Sequence, residues 1–133
     1  MGRIILAEDD ELVGQIVVDR FVAAGHAVGW LRDGKEALDA MRFRPPDLVI
    51  LDQRMPTMNG GLVLRKMRGT WELSMIPVLM LTAVDGEQDK DIAYYEGADD
   101  YMTKPFNPDL LVARAESLMR GHIRRTSGDL NPG

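Results

Sequence analysis

Residues 46–60 read PDLVILDQRMPTMNG, and this stretch decides the fold. Leu48, Val49, Ile50 and Leu51 form an unbroken apolar run, and Pro45-Pro46 bars a helix from entering it. A run this short and this uniformly apolar reads as a strand covered on both faces, the mark of a parallel sheet. It ends in a single carboxylate, Asp52. Met55-Pro56 then turns the chain, and Asn59-Gly60-Gly61 supplies turn residues before a new helical pattern. Asp52 can cap the loop behind it or hold a reactive group where open α/β sheets bind ligands, just beyond the carboxyl ends of the strands. The other strands bear on that choice.

Upstream, RIILA at residues 3–7 is a second buried strand, which runs into the acidic loop Glu8-Asp9-Asp10-Glu11. Leu12, Val13, Ile16, Val17, Phe21 and Val22 follow at helical spacing, with Gly25 at the C-cap position. Residues 27–31 form a short strand, and Asp33 with Glu36 makes a capping box for a helix to about Phe43. Downstream, Leu62, Leu64 and Met67 mark a third helix, which Gly69 closes. Pro77 introduces the apolar strand Val78-Leu79-Met80-Leu81, which ends at Thr82. Asp85 with Gln88 starts a fourth helix, running to Glu96 and stopped by Gly97. Residues 99–102 form a fifth strand, followed by Lys104-Pro105. Asn107-Pro108 caps a last helix, which carries Leu110, Leu111, Ala115 and Leu118 and fades near Gly121. Residues 122–133 read as a loose tail or the start of a linker, leaving residues 1–121 as one domain.

Five strands alternating with five helices predict an α/β fold, a doubly wound five-stranded parallel sheet, (βα)5, with right-handed crossovers. The expected strand order is 2-1-3-4-5, flavodoxin-like, with the crevice beyond strands 1 and 3, where the winding reverses. The 133 residues suit one domain. A net charge of −5, from 16 basic and 21 acidic residues, argues against direct nucleic-acid binding by this domain. The basic cluster Arg120, Arg124 and Arg125 reads as a helix end complementing the dipole. Cysteine is absent, there is no signal-peptide pattern, and no apolar run approaches membrane-spanning length, so a cytoplasmic location is expected.

The strand ends deliver Glu8 and Asp9, Asp52 and Thr82 to one edge of the sheet, and the loop after the fifth strand adds Lys104. Two carboxylates about 4 Å apart repel by roughly 4 kcal/mol at an effective dielectric near 20, so the cluster needs a cation or takes up protons. Lys104 offsets one charge. A hard divalent ion with oxygen ligands and water, in the manner of Mg²⁺, would offset the rest. His26 and His122 fall away from this edge and read as solvated or capping residues. A cation-bound Asp beside a Lys and a Thr suits phosphoryl transfer, and the carboxylate can itself be the nucleophile. Asp10 also reads as a helix cap, which leaves Asp52, Thr82 and Lys104 still to be explained.

These residues resemble the receiver domain of bacterial two-component response regulators, over about residues 3–120. The carriers are Ile5-Leu6-Ala7-Glu8-Asp9-Asp10-Glu11, Leu51-Asp52-Gln53-Arg54-Met55-Pro56 with Gly60, Leu81-Thr82-Ala83, and Asp100-Tyr101-Met102-Thr103-Lys104-Pro105-Phe106. Each motif alone is weak, but the four occur in order, with 43 residues from Asp9 to Asp52, 30 to Thr82 and 22 to Lys104. The resemblance implies that Asp52 accepts a phosphoryl group from a phosphohistidine on a sensor histidine kinase or histidine phosphotransfer protein. It implies Mg²⁺, with Mn²⁺ able to substitute, held by Asp9, Asp52, the backbone carbonyl of Arg54 and, through water, Glu8. It implies that Lys104, in a cis bond to Pro105, pairs with the phosphoryl oxygens. Thr82 and Tyr101 would act as the switch, remodelling a face of the fourth helix, fifth strand and fifth helix that includes Tyr94, Tyr95 and Val112. Kinase choice would lie on the first helix, near Gly14, Gln15 and Val18.

Some positions depart from the family's pattern. Asn59 stands where Asp is more frequent, Glu8 replaces a frequent Asp, and Arg54 and Val84 occupy positions that tune acyl-phosphate lifetime. A phosphatase of the haloacid dehalogenase type would want an Asp two residues after the nucleophile, where Arg54 stands. A flavodoxin-like binding module would want a phosphate loop where the acidic run lies. The chain is thus expected to modify itself rather than turn over an external substrate. It reads as a stand-alone regulator or phosphorelay member, monomeric or dimerising on phosphorylation; alternatively, it is the receiver of a longer regulator with a DNA-binding or enzymatic output domain.

Overall fold

The computed structural model describes residues 1–82 and 97–127, the side chains of residues 123–127 excepted. Five parallel strands, β1 (Arg3–Ala7), β2 (Ala27–Leu31), β3 (Leu48–Asp52), β4 (Val78–Thr82) and β5 (Asp100–Thr103), form one sheet in the order β2-β1-β3-β4-β5. The described helices are α1 (Glu11–Ala23), α2 (Gly34–Phe43), α3 (Gly60–Arg68) and α4 (Pro108–Ser127), with a 3-10 turn over Trp71–Leu73. The predicted helix over residues 85–96, with Val84, Tyr94 and Tyr95, lies outside the described residues.

Strand alternation divides the core into two layers. Ile5, Ala7, Val49, Leu51, Val78 and Met80 face α2 and α3, whereas Ile4, Leu6, Leu48, Ile50, Leu79 and Leu81 face α1 and α4. Both layers are sealed, and every residue of β3 and β4 is buried. This explains why these strands show no polar alternation in sequence.

The helix ends follow local chemistry. The Asp10 carboxylate accepts from the Leu12 and Val13 N–H groups, Asp33 from Glu36, Asn59 from Leu62, and Asn107 from Asp109. Gly25, at φ 92°, ends α1 in a conformation that favours glycine.

α4 overruns its predicted end. It continues through Gly121 to Ser127, so residues 122–127 are helical and not a loose tail. One glycine inside a helix costs only about 1 kcal/mol. The residues of α4 ahead of it are anchored in the core by Leu111, Ala115 and Met119. Gly14 differs too. It is buried against the Trp30 ring and is not on the exposed face of α1, where Leu12 and Ile16 stand instead.

Candidate functional site

The register of β1 on β3 brings two carboxylates side by side. Ile4 pairs with Leu48 and Ala7 with Leu51, and the same offset sets Glu8 beside Asp52 at the strand ends. β4 pairs Leu81 with Met102 and Thr82 with Thr103, which delivers Lys104 to the same edge. The Lys104 N–H donates to the Thr82 carbonyl at 2.7 Å, and the Lys104–Pro105 peptide is cis.

Glu8 is fully buried and Asp52 is 6% exposed. Lys104 Nζ stands 2.8 Å from Glu8 Oε1 and 3.2 Å from Asp52 Oδ2. Glu8 Oε2 accepts from the Asp10 N–H at 3.1 Å, and Asp52 Oδ1 from the Arg54 N–H at 3.3 Å. Asp9 is exposed. Even so, one carboxylate oxygen from each of Glu8, Asp9 and Asp52 lies within 4.8 Å of the other two. An open cleft of about 580 Å³ adjoins them, lined by Asp9, Gln53, Arg54, Met55, Pro56 and Asn59. Gly60 closes this loop onto β3, where its N–H donates to the Gln53 carbonyl. A Cβ at position 60 would lie 2.4 Å from the Asp52 carbonyl oxygen.

The electrostatics show a deficit of positive charge. Burial and the hydrogen bond shared with Asp52 push the Glu8 carboxyl up to about 7, against the opposing pull of Lys104. Burial also works against the Lys104 ammonium, but its hydrogen bond to Glu8 and the charge of Asp52 hold it above its ordinary value. Among the described residues, Lys104 pairs with two of the three clustered carboxylates, Glu8 and Asp52. A hard divalent cation fits this donor set: the ligands are all oxygen, one is exposed for entry, and no histidine or cysteine is among them. Thr82 adds a fully buried Oγ1 with no hydrogen-bond partner among the described residues. Tyr101 is half-buried and packs at the margin of the α2–α3 layer.

A family model described as the response regulator receiver domain matches residues 4–116. The chain belongs to that family. This receiver is 39% identical over 118 residues to the uncharacterized transcriptional regulatory protein YclJ of Bacillus subtilis, a match covering 89% of this chain and 51% of that protein. It is 36% identical to the transcriptional regulatory protein BaeR of Escherichia coli O6:H1, covering 89% of this chain and 48% of that one. The chain therefore spans about half the length of these curated relatives. The receiver domain of Francisella response regulator 1452 superposes with a TM-score of 0.83 at 31% identity, covering 90% of this chain and 98% of that one.

Two arrangements in the receiver escaped sequence reasoning. His26 is neither solvated nor capping: its side chain is 6% exposed, Nδ1 accepts from the Gly2 N–H at 2.9 Å, and Nε2 meets Glu116 Oε2 at 2.8 Å. Trp30 donates from Nε1 to the Glu8 carbonyl at 2.8 Å, behind the acidic loop. A tryptophan in a short apolar strand gives no sign of which carbonyl it will reach.

Proposed function

We propose that this receiver accepts a phosphoryl group on Asp52 from a phosphohistidine and signals through the face of the predicted helix over residues 85–96, β5 and α4. The observation that carries the reading is the convergence of Lys104 Nζ on Glu8 and Asp52, at 2.8 and 3.2 Å, with Asp9 beside them. The N–P bond of the donor breaks as an Asp52 oxygen bonds to phosphorus, and the imidazole leaves with a proton from solvent. Glu8, Asp9, Asp52 and the Arg54 carbonyl would hold Mg²⁺ or Mn²⁺. The ion would neutralise charge on the transferring group. Lys104 leaves its carboxylate partners for the new phosphoryl oxygens, and the unpartnered Thr82 hydroxyl turns to a third. Tyr101 follows into the space released. The chain's chemistry is self-modification, not turnover of an external substrate. The donor is a sensor histidine kinase or a histidine phosphotransfer protein, and we read the domain as cytoplasmic.

The test is acetyl phosphate labelling with and without Mg²⁺, read on intact protein by mass spectrometry. One Mg²⁺-dependent adduct is expected on the wild type and none on Asp52→Asn. An adduct of equal yield on the variant would sink the reading.

A second reading concerns output. YclJ and BaeR are named as transcriptional regulatory proteins, and the chain matches about half of each. This favours a receiver that controls a DNA-binding domain over a stand-alone relay module. Dimerisation on phosphorylation, measured by light scattering, is the expected outcome; a monomer in both states would favour the stand-alone module.

A further inference from the structure

Trp30 takes no part in the chemistry above, yet it stands directly behind the acidic loop. Its Nε1–H donates to the main-chain carbonyl of Glu8 at 2.8 Å, and the Glu8 N–H donates to the Leu31 carbonyl at 3.0 Å. Both backbone polar atoms of Glu8 are therefore held by β2. The indole in turn is held by Gly14 and Arg32. It packs on Gly14 so closely that a Cβ there would lie 1.9 Å from Cζ2 and 2.3 Å from Cε2. The Arg32 guanidinium lies 4.3 Å from the ring centroid, and Arg32 Nη2 pairs with Glu11 Oε2 at 2.9 Å. The ring thus joins β2, the loop that carries Glu8 and Asp9, and the first turns of α1.

We infer that Trp30 is a positioning residue, which sets the Glu8 main chain and so holds the Glu8 and Asp9 carboxylates ready for a divalent cation. The inference rests on the metal-binding part of the function proposed above. Its physical basis is pre-organisation: a ligand loop fixed before the ion arrives loses less freedom on binding. Gly14 is the complementary half of the device, because only a residue without a side chain lets the indole reach the carbonyl.

The experiment is a calorimetric titration of the metal-free protein with Mg²⁺, beside thermal unfolding in EDTA. Trp30→Phe keeps an aromatic ring and removes the N–H. It is expected to weaken Mg²⁺ binding about three- to tenfold, the effect of one net hydrogen bond. Arg32→Met strips the cation from the ring and leaves the N–H in place, so affinity should stay within about twofold. Gly14→Ala should weaken binding in the wild-type background and far less beside Trp30→Phe, because the shorter ring lacks the atoms that the new Cβ meets. If Trp30→Phe folds poorly, Gly14→Ala alone still reads the effect, since it displaces the indole and leaves Trp30 itself intact. A Trp30→Phe protein that loses thermal stability but binds Mg²⁺ as wild type does would overturn the inference and show Trp30 to be packing alone. A wild type that binds no Mg²⁺ would instead overturn the metal site, and the inference with it.

Discussion

Glu8 carries the least exposed carboxyl of the site, and its proton is the most readily tested consequence of the geometry. Its folded-state value of about 7 lies above the ordinary 4.5, so the folded protein holds this proton more tightly than the unfolded chain does. The associated stability is fully present below about 4.5 and is lost as pH rises through about 7. In EDTA, the melting temperature of the wild type is expected to fall from pH 5 to pH 8, and Glu8→Gln to flatten that fall. A slope unchanged in the variant would assign the titration elsewhere. The same proton competes with a cation for the carboxylate, so Mg²⁺ affinity should rise from pH 6 to pH 8. Lys104→Met should be more destabilising at pH 8 than at pH 6, because at pH 8 it leaves adjacent buried charges with no cation.

Elements fix how well those side chains are aimed. The loop from Asp52 to α3 passes so close to β3 that Gly60→Ala would set a Cβ 2.4 Å from the Asp52 carbonyl oxygen. Overpacking of this kind costs about 1–3 kcal/mol. Urea unfolding should show that loss, with phosphoryl labelling reduced as the loop is pushed off the site. At the opposite edge of the sheet, His26 ties α4 to the start of β1 through Glu116 and the Gly2 N–H. His26→Leu leaves both partners without their hydrogen bond and is expected to cost about 1–3 kcal/mol. Amide exchange in α4 should quicken while acetyl phosphate labelling of Asp52 is preserved. Loss of labelling would mean that α4 and the site are coupled more tightly than this packing implies.

For the whole molecule, the acidic crevice couples ligand binding to global stability. The sheet buries its central strands completely and leaves like charges at their ends, so a cation that binds only the folded chain stabilises all of it. At a hundredfold excess over its dissociation constant, Mg²⁺ should contribute about 2.7 kcal/mol. For a domain of this size that raises Tm by roughly 10 °C. Asp52→Asn should show a smaller rise, and an equal rise would place the ion elsewhere. None of the described helices is long and apolar enough to cross a membrane.

The sequence by itself determined five apolar strands alternating with helices, the helix caps at Asp33, Asn107 and Gly25, and the gathering of Glu8, Asp9, Asp52, Thr82 and Lys104 at one edge. These were legible because they rest on local periodicity and on the rule that successive parallel strands all end on the same side. Tertiary structure alone decided the rest. That Glu8 and Asp52 share one ammonium depends on the register of β1 on β3, which no local pattern carries. The fit of Trp30 on Gly14 and the bond from His26 to Glu116 join residues 16 and 90 positions apart. Gly121 reads as a helix stop in the sequence, yet α4 runs through it to Ser127. A single glycine costs about 1 kcal/mol, too little to stop a helix whose preceding turns are held in the core by Leu111, Ala115 and Met119.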